Sequence, residues 1–391
     1  MTGFLDGLPL INKIFHTLST ISPIFKNRKA FPTEDYLYTM LRKICLYPFS
    51  LLFGLAVGLR NLCYDKGLLK SHRFELPVIS LGNLSLGGTG KTPHIEYLIR
   101  LLQTEYKVAA LSRGYGGKSK NYTLVETTSL AKEVGDEPLQ IKTKFPEITV
   151  AIEPHRVQGI KRLLAEINPD VILLDDAFQH RKVNPGLSIL LTAFGQPFYK
   201  DVLLPAGNLR EPASSAERAD IIIVTKCPDD FGGNEAFKIS ERLRLQPHQS
   251  LFFSGIKYGS PQAMLQQTPP ISFSRETAVL LLSGIANSGL LKKYIREQFN
   301  LADSLDYRDH HVYNAADIQR IKQKFSIIAG TSKAIITTEK DAARLRNPEL
   351  TELLKDLPVY FLPMEVKFFD DEGERFNQII EKYVAGNKAN H

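Results

Sequence analysis

The sequence is poor in the residues that mark several protein classes. Its 391 residues include no tryptophan and three cysteines, Cys45, Cys63 and Cys227, too few and too scattered for a disulfide framework or a zinc site. Hydrophobic residues make up 43% and charged residues 23%, which excludes disordered and fibrous chains. No uncharged apolar run reaches about 18 residues, so an ordinary membrane span is not expected. The composition indicates a globular chain in a reducing, cytoplasmic environment, with two or three domains at roughly 150 residues each.

One apolar segment stands out near the start. Sixteen uncharged residues, ICLYPFSLLFGLAVGL, lie between Lys43 and Arg60, fewer than the roughly 20 that cross a bilayer as a helix. Residues 1–80 contain ten Lys or Arg against five Asp or Glu. This pattern predicts a helix in the membrane interface over residues 40–74, and a buried core helix or a true span are the alternatives. Residues 1–39 are interpreted as an extension, either loosely docked or an upstream-start artefact.

Short apolar runs alternate with helical patterns from Glu75 onward. The runs are continuous in Val, Ile and Leu, which is typical of strands buried on both faces of a parallel sheet. Strands are predicted at 77–81, 107–112, 147–152, 170–175, 188–193, 220–225, 278–285, 333–338 and 359–364. Residues 228–275 are rich in turn signals around one polar helix. We therefore predict an α/β fold with a parallel-sheet core over residues 75–250 and a smaller α/β domain over residues 251–391.

A glycine-rich loop directly follows the first predicted strand and precedes a predicted helix. Its sequence, LGNLSLGGTGKTP at 81–93, is typical of a P-loop, whose backbone N–H groups bind nucleotide phosphates at a helix N-terminus. Lys91 can reach the β- and γ-phosphates, and the Thr92 hydroxyl can bind Mg²⁺. Ser85 stands where the strict motif has its first glycine. The nucleotide-binding residues predicted here are Ser85, Leu86, Gly87, Gly88, Thr89, Gly90, Lys91 and Thr92.

A second acidic element can complete a magnesium site. The run VILLDD ends in Asp175 and Asp176 at the carboxyl end of a predicted strand, as in the acidic strand of P-loop enzymes. Which of the two binds the metal stays open, and tandem acids can also cap a helix. The segment TKCPD at 225–229 resembles a guanine-reading element, but Pro228 occupies the position of its carboxylate. ATP is therefore favoured over GTP.

Six motifs occur in one order along the chain. They are the phosphate loop, SRGYG at 112–116, GDEP at 135–138, DDAFQHR at 175–181, LPAGNLREP at 204–212 and DHH at 309–311. Together they resemble the tetraacyldisaccharide 4′-kinase family from about residue 40 to residue 365. The resemblance implies a P-loop kinase that uses ATP and Mg²⁺ to phosphorylate the 4′-hydroxyl of a tetraacylated glucosamine disaccharide 1-phosphate. That reaction is a step of lipid A biosynthesis and gives lipid IVA.

The resemblance also implies roles for single residues. Asp136 matches the catalytic carboxylate of the family and His310 the histidine paired with it, while Lys91 acts on the phosphates. Without the family, Asp136 would be interpreted as a helix cap and the tandem histidines as a polar surface loop. Weaker candidates for contact with substrate or phosphate, each with a structural alternative, are Arg113, Glu137, Arg156, His180, Arg210, Glu211 and His311.

The implied substrate suggests a function for the apolar segment at residues 44–59. A lipid with four acyl chains does not leave a bilayer readily, because each buried CH₂ is worth about 0.8 kcal/mol. The expected partners are this lipid and the membrane surface, and the expected location is the cytoplasmic face of the inner membrane, as a peripheral or monotopic protein. Neither a nucleic-acid partner nor an obligate protein partner is expected. A nucleotide-switched targeting protein and a soluble small-molecule kinase are the alternative functions.

Overall fold

The computed structural model describes residues 32–119 and 121–388, so most of the predicted extension, residues 1–31, lies outside the described residues. In chain order the strands are β1 (Val78–Asn83), β2 (Val108–Ser112), β3 (Thr123–Leu124), β4 (Thr149–Ile152), β5 (Val171–Asp175), β6 (Leu187–Ala193), β7 (Ile221–Thr225), β8 (Ser250–Tyr258), β9 (Gln262–Ala263), β10 (Ala278–Ser283), β11 (Asn300–Asp306), β12 (Lys333–Thr338), β13 (Val359–Leu362) and β14 (Met364–Phe368).

The helices separate most of these strands. They are α1 (Pro32–Asp65), α2 (Lys91–Leu102), α3 (Ala131–Val134), α4 (Asp136–Lys144), α5 (Arg156–Glu166), α6 (Gly233–Leu243), α7 (Gly289–Gln298), α8 (Ala315–Ile327), α9 (Glu339–Leu345), α10 (Pro348–Leu354) and α11 (Glu372–Lys388), with 3₁₀ turns at Phe198–Lys200 and Ala213–Arg218.

The strands form two sheets. The larger sheet has the order β14-β8-β7-β6-β1-β5-β2-β4-β3 and the smaller one β11-β10-β12-β13-β9. Pairing is parallel throughout the middle of both sheets, and only the edge strands β14, β3 and β9 pair antiparallel among the described residues. Parallel strands joined by helices confirm the predicted fold class, a parallel-sheet core with a second, smaller α/β unit.

Helices cover both faces of the larger sheet. Ile79 and Leu81 of β1 share a buried cluster with Ile95 of α2, whereas Val78 on the opposite face shares one with Ile160 of α5. This burial on both faces explains why the strands are continuously apolar. The carboxyl ends of β1, β2 and β5 consequently open at one edge of the sheet, where α/β proteins bind their ligands.

The chain leaves the larger sheet after β8 and returns to it at β14. Strand β14 pairs with β8 from Met364↔Tyr258 to Phe368↔Ser254, and α11 contributes Phe376 and Ile380 to the core of the larger unit. The sequence-based boundary at residue 250 stays a prediction. We propose that the smaller unit is instead an insertion between β8 and β14, because the strands of its sheet lie between residues 262 and 362.

Several strands and helices were not predicted from the sequence. The turn-rich segment 228–275 contains the expected polar helix, α6, but also the nine-residue strand β8. Its sequence, SLFFSGIKY, is buried only over its middle, so it lacks the long apolar run of a central strand. Edge strand β11 is similarly polar. Helix α9 was not predicted, whereas α4 begins at Asp136, where the sequence offered a helix cap as the alternative to a catalytic role.

Helix α1 continues through Pro48 and presents two different faces. Phe53 and Val57 are buried against the larger unit, whereas Leu52, Leu55 and Leu59 are 65%, 71% and 63% exposed. Within α1, the stretch Lys43–Asp65 is long and apolar enough to cross a membrane by length and composition, but only 22% of its most apolar window is buried. A core helix would be buried all round, so the exposed leucines argue against that alternative.

Candidate active site

The phosphate loop lies between β1 and α2. Gly90, the residue before α2, has a φ of 87°, and Gly87 has a φ of 111°, conformations that favour glycine over residues with a Cβ. Ser85, which stands where the strict motif has its first glycine, does not have a positive φ. A residue with a Cβ therefore fits this position without an unusual backbone conformation. The Asn83 amide donates to the Thr89 hydroxyl at 2.8 Å. Asn83, the last residue of β1, thus holds the loop in place.

Lys91 and the acidic pair meet beside this loop. Lys91 Nζ lies 3.7 Å from Asp176 Oδ1, and Arg210 Nη2 donates to the same oxygen at 2.9 Å. Burial alone would raise the pKa of Asp176, but the Arg210 and Lys91 charges outweigh it and hold that pKa well below its usual range. Asp176 is therefore ionised, and two cations compensate its charge.

Asp175 has the opposite environment. Its side chain is buried, one oxygen accepts from the Ser112 hydroxyl at 3.3 Å, and Oδ1 has no hydrogen-bond partner. Burial, with the nearby charges of Glu137 and Asp176, raises the pKa of Asp175 to about 7. An unsatisfied buried carboxylate oxygen is costly unless a ligand completes it.

The residues present fit a magnesium ion only in part. Asp175, Asp176 and Thr92 offer the hard oxygen donors that Mg²⁺ prefers, and the unpartnered Oδ1 of Asp175 is available. Among the described residues, however, no group of three or more His, Cys, Asp or Glu side chains forms a complete metal site. A magnesium ion here would take its other ligands from phosphates and water, as is usual for this ion.

Asp136 belongs to the larger unit and His310 to the smaller one, and their side chains lie close together. Asp136 begins α4, and His310 lies in the loop between β11 and α8; His310 Nδ1 is 3.3 Å from Asp136 Oδ2. The Tyr115 ring packs edge-on against the imidazole, with 5.1 Å between centroids. The structure thus forms the expected pair, at a φ of 59° for His310.

Two further cations surround Asp136, and the sequence analysis missed both. Arg344 Nε donates to Asp136 Oδ2 at 2.9 Å, and Nη2 also contacts that oxygen. Lys340 Nζ lies 3.7 Å from the same oxygen and donates to Glu137 at 3.0 Å. Both residues belong to α9, which directly follows β12. Polar residues at the carboxyl end of a parallel strand were the available signal.

A cavity of about 490 Å³ lies beside the phosphate loop. It is lined by the whole phosphate loop from Ser85 to Thr92 and by residues of both units. The other predicted site residues that line it are Arg113, Glu137, Asp175, Asp176, His180, Arg210 and His310. Asp136 instead lines a neighbouring cavity of about 440 Å³, which it shares with His310. His310 therefore stands between the two cavities.

Three weaker candidates are not brought into the phosphate-loop cavity. Arg156 is buried behind β5 and donates to the Asp175 carbonyl at 3.2 Å. Glu211 is fully buried and pairs with Arg218 at 2.7 Å. His311 pairs with Asp317 at 2.9 Å and lines only the neighbouring cavity. Glu211 and His311 thus form ion pairs, whereas Arg156 donates to backbone carbonyls.

His180 lines the cavity as a neutral imidazole. Its burial, together with the charges of Arg156 and Arg113, lowers the pKa of His180 to about 3. A neutral imidazole can donate or accept a hydrogen bond but adds no charge to the site.

Comparison with known proteins adds to this geometry. Residues 42–385 match the family model described as tetraacyldisaccharide-1-P 4′-kinase. The chain is 46% identical over 358 residues to the tetraacyldisaccharide 4′-kinase of Bacteroides thetaiotaomicron, covering 88% of this chain and 94% of that one. It is 42% identical over 349 residues to that of Flavobacterium johnsoniae, covering 89% and 98%.

A solved structure is similar over the same extent. It is the crystal structure of the "apo" form of LpxK from Aquifex aeolicus in complex with ATP, which is 30% identical in sequence. The TM-score is 0.68, and the match covers 88% of this chain and 99% of that one.

Proposed function

The chain belongs to the tetraacyldisaccharide 4′-kinase family, and from this premise we propose how its residues transfer a phosphoryl group. The reaction moves the γ-phosphate of ATP to the 4′-hydroxyl of a tetraacylated glucosamine disaccharide 1-phosphate, a step of lipid A biosynthesis. One observation carries the assignment of roles. The phosphate loop and His310 line one cavity, and His310 lies 3.3 Å from Asp136.

The phosphate loop binds the triphosphate in this proposal. Backbone N–H groups around Gly87 to Gly90 and the N-terminus of α2 face the phosphate oxygens. Lys91, which pairs with Asp176 at 3.7 Å, exchanges that carboxylate for the β- and γ-phosphates. A fixed ammonium then offsets the negative charge on the transferring phosphoryl group. Such electrostatic stabilisation, together with positioning, is the main source of catalysis in phosphoryl transfer.

Magnesium would be held by the Thr92 hydroxyl and by Asp175 or Asp176. When bound, it supplies positive charge to the phosphate oxygens. The Asp175 oxygen without a partner supports this position. Arg210 donates to both oxygens of Asp176, so we expect it to orient that carboxylate toward the phosphates. Arg113 lines the same cavity, and we expect it to contact the phosphates.

The acceptor hydroxyl is placed beside Asp136 and His310. A sugar hydroxyl loses its proton as it attacks phosphorus, and a group within hydrogen-bond reach that takes this proton lowers the barrier. Asp136 and His310 are the pair with that capacity at the boundary between the two units. Glu137 and His180 also line the cavity and can hydrogen-bond to the sugar.

Membrane attachment through α1 completes the proposal. The exposed leucines of α1 form an apolar face, and Lys66, Lys70 and Arg73 follow it in sequence. Hydrophobic insertion together with attraction to anionic lipid keeps such a helix at the bilayer surface. We propose peripheral or monotopic attachment at the cytoplasmic face of the inner membrane, where ATP is available and the acyl chains of the substrate remain in lipid.

The direct test is phosphorylation of the lipid. The purified full chain is incubated with MgATP and detergent-solubilised tetraacyldisaccharide 1-phosphate, and the lipid is analysed by mass spectrometry. We expect the lipid to gain one phosphate, and Asp136→Ala to reduce kcat about 100-fold or more while ATP affinity changes little. A wild-type chain without product, alongside an active control kinase, would reject the function. Equal losses in kcat and ATP affinity in Asp136→Ala would reject its role at the acceptor.

A further inference from the structure

Three consecutive carbonyl groups of the phosphate loop, those of residues 88–90, are hydrogen-bonded to side chains outside the loop. The Lys226 ammonium donates to the first at 2.6 Å and the Thr225 hydroxyl to the second at 2.8 Å, and His94 Nδ1 lies 2.8 Å from the third. The loop contains three glycines, which have more conformational freedom than any other residue. These bonds therefore restrict the backbone where it is most flexible.

The direction of these carbonyls also sets the direction of the amides that follow them. In a planar trans peptide, the C=O and the next N–H point to opposite sides. Because Thr225 and His94 hold the second and third carbonyls, the amides of Gly90 and Lys91 point away from both side chains. The first amides of a helix have no acceptor within it, so these two are available to phosphate oxygens. The preceding amide, that of Thr89, instead donates within the loop at 3.1 Å.

The hydrogen bonds of His94 also determine its tautomer. A carbonyl oxygen only accepts, so Nδ1 carries the hydrogen. Nε2 lies 3.1 Å from the Ser254 hydroxyl, which then donates to it. Burial lowers the pKa of His94 to about 4, against the opposing effect of the Gly90 carbonyl, so the imidazole is neutral at pH 7. A neutral histidine of fixed tautomer thus connects strand β8 to the phosphate loop.

Ser254 connects both donors to the larger sheet. It is fully buried in β8, and its carbonyl accepts from the amide of Cys227 at 3.0 Å, two residues after Thr225. Strand β8 pairs with β7 on one side and with β14 on the other, so the sheet fixes its position. The side chains that hold the loop are thereby supported by a second set of buried contacts, as pre-organised sites require.

The segment 225–229 acquires a use other than reading guanine. Pro228 stands where that element has its carboxylate, but Thr225 and Lys226 donate to the phosphate loop. Both residues line the phosphate-loop cavity, as does His94.

We propose that His94 and Thr225 are positioning residues, which hold two carbonyls of the phosphate loop so that the Gly90 and Lys91 amides face the triphosphate. This inference rests on the proposed kinase function and concerns the nucleotide, not the acceptor hydroxyl. Lys226 holds the preceding carbonyl in the same way. Because its charge can also act on a phosphate directly, the two uncharged residues are the ones to test.

The test compares His94→Leu and Thr225→Val with wild type, measuring kcat and the KM values for ATP and for the lipid. Leucine keeps an apolar side chain of similar size without the donor, and valine replaces the hydroxyl by a methyl group. We expect each change to lower kcat/KM for ATP about tenfold, mainly through KM, because a hydrogen bond that orients a binding amide is lost. KM for the lipid should change less than about twofold. An equal rise in both KM values would indicate general distortion and overturn the inference.

His94→Asn is the rescue variant. Its amide nitrogen is the same number of bonds from Cα as Nδ1, so it can donate to the Gly90 carbonyl without reaching Ser254. We expect kcat/KM for ATP within about threefold of wild type, although the unfilled volume of the ring lowers Tm. A merely structural role predicts kinetics that follow Tm, and an Asn variant as impaired as His94→Leu would contradict the proposal.

Thr192→Val is the matched control, because it makes the same change on the neighbouring strand β6. Thr192 is buried, and its hydroxyl accepts from the Phe198 amide at 3.0 Å, a contact that does not involve the phosphate loop. Its carbonyl, 3.4 Å from the Thr225 hydroxyl, is unchanged by the substitution. We expect a lower Tm with wild-type kinetics. A loss of kcat/KM for ATP as large as in Thr225→Val would assign the effect to lost stability.

Thermal unfolding accompanies each variant. If His94→Leu does not fold, Thr225→Val decides: kcat/KM for ATP reduced at least about fivefold with an unchanged KM for the lipid supports the role, and an unchanged kcat/KM overturns it. A wild-type chain without lipid phosphorylation rejects the proposed function. An active wild type with fully active His94→Leu and Thr225→Val variants rejects only this inference.

Discussion

At the residue scale, four cations of the site are paired with two carboxylates. Asp176 holds Lys91 and Arg210, and Asp136 holds Arg344 and Lys340. Each of the two carboxylates therefore compensates part of the charge of the two cations beside it. This arrangement reduces the cost of keeping several cations close together in a partly buried site.

Lys91 gives the sharpest prediction at this scale. We expect Lys91→Met to reduce kcat about 10²- to 10³-fold, because a fixed charge on the transferring phosphate is lost. Steady-state kinetics with the lipid substrate and MgATP measure this loss. Lys238→Met, at an exposed position of α6, serves as control and should behave as wild type. A Lys91 variant with more than about a tenth of wild-type kcat would remove Lys91 from the reaction.

At the element scale, the segment 203–208 contacts both α1 and the phosphate loop. The Ser50 hydroxyl donates to the Leu203 carbonyl at 2.9 Å and accepts from the Ala206 amide at 2.9 Å. A few residues later, the Leu86 amide of the phosphate loop donates to the Asn208 carbonyl at 2.8 Å. The inner face of α1 therefore packs on the larger unit, and the leucines of its outer face are exposed.

This division of faces predicts a separable membrane function. The triple variant Leu52→Gln, Leu55→Gln and Leu59→Gln should bind vesicles of anionic phospholipid at least about 100-fold more weakly, since inserting each leucine is worth about 1.5–3 kcal/mol. ATP-analogue binding and Tm should stay near wild type. Co-sedimentation with vesicles measures the binding.

A matched control places the same change elsewhere on the surface. Phe237 and Ile327 are 66% and 75% exposed, on α6 and α8, and glutamine at both should leave vesicle binding unchanged. If this control loses binding as strongly as the α1 variant, the attachment is a general effect of surface hydrophobicity and α1 is not the anchor.

At the scale of the whole molecule, Lys144 links helices of both units. Its ammonium lies 2.7 Å from Glu96 of α2 and 2.7 Å from Glu339 of α9, and Lys144 itself ends α4, which begins with Asp136. Two buried carboxylates thus share one ammonium. Burial and the Glu339 charge raise the pKa of Glu96 to about 7, against the opposing effect of Lys144.

The shift makes stability depend on pH. Because the folded chain keeps a proton on Glu96 that the unfolded chain loses near its ordinary pKa of about 4.5, stability falls as pH rises toward and through 7. From pH 6 to pH 8, we expect the free energy of unfolding of wild type to fall by about 1 kcal/mol more than that of Glu96→Gln.

Urea unfolding at the two pH values measures this difference. The half-exposed Glu365, 3.5 Å from Arg100, provides the control, and Glu365→Gln should keep the wild-type pH dependence. Asp175, whose pKa is also raised, contributes equally to all three proteins and cancels from the comparison. Identical pH slopes in wild type and Glu96→Gln would show that Glu96 does not titrate in this range.

Neighbouring residues in the sequence determined a large part of the fold and predicted the nucleotide half of the site. Apolar runs buried on both faces specify central parallel strands, and a glycine loop between strand and helix specifies a phosphate site through backbone geometry alone. Strand β8 and helix α9 carry no such local signature. The role of their polar residues depends on contacts with residues that are distant in sequence.

The sequence by itself determined the parallel-sheet core, the phosphate loop ending in Lys91, the acidic pair at the end of β5 and, through its motifs, the family. Only the tertiary structure decided that Arg344 and Lys340 surround Asp136, that Glu211 and Arg156 are buried away from the cavity, and that the outer leucines of α1 stay uncovered. The physical reason is range: strand and loop geometry follow from neighbouring residues, whereas an ion pair across 208 positions exists only once both units have packed.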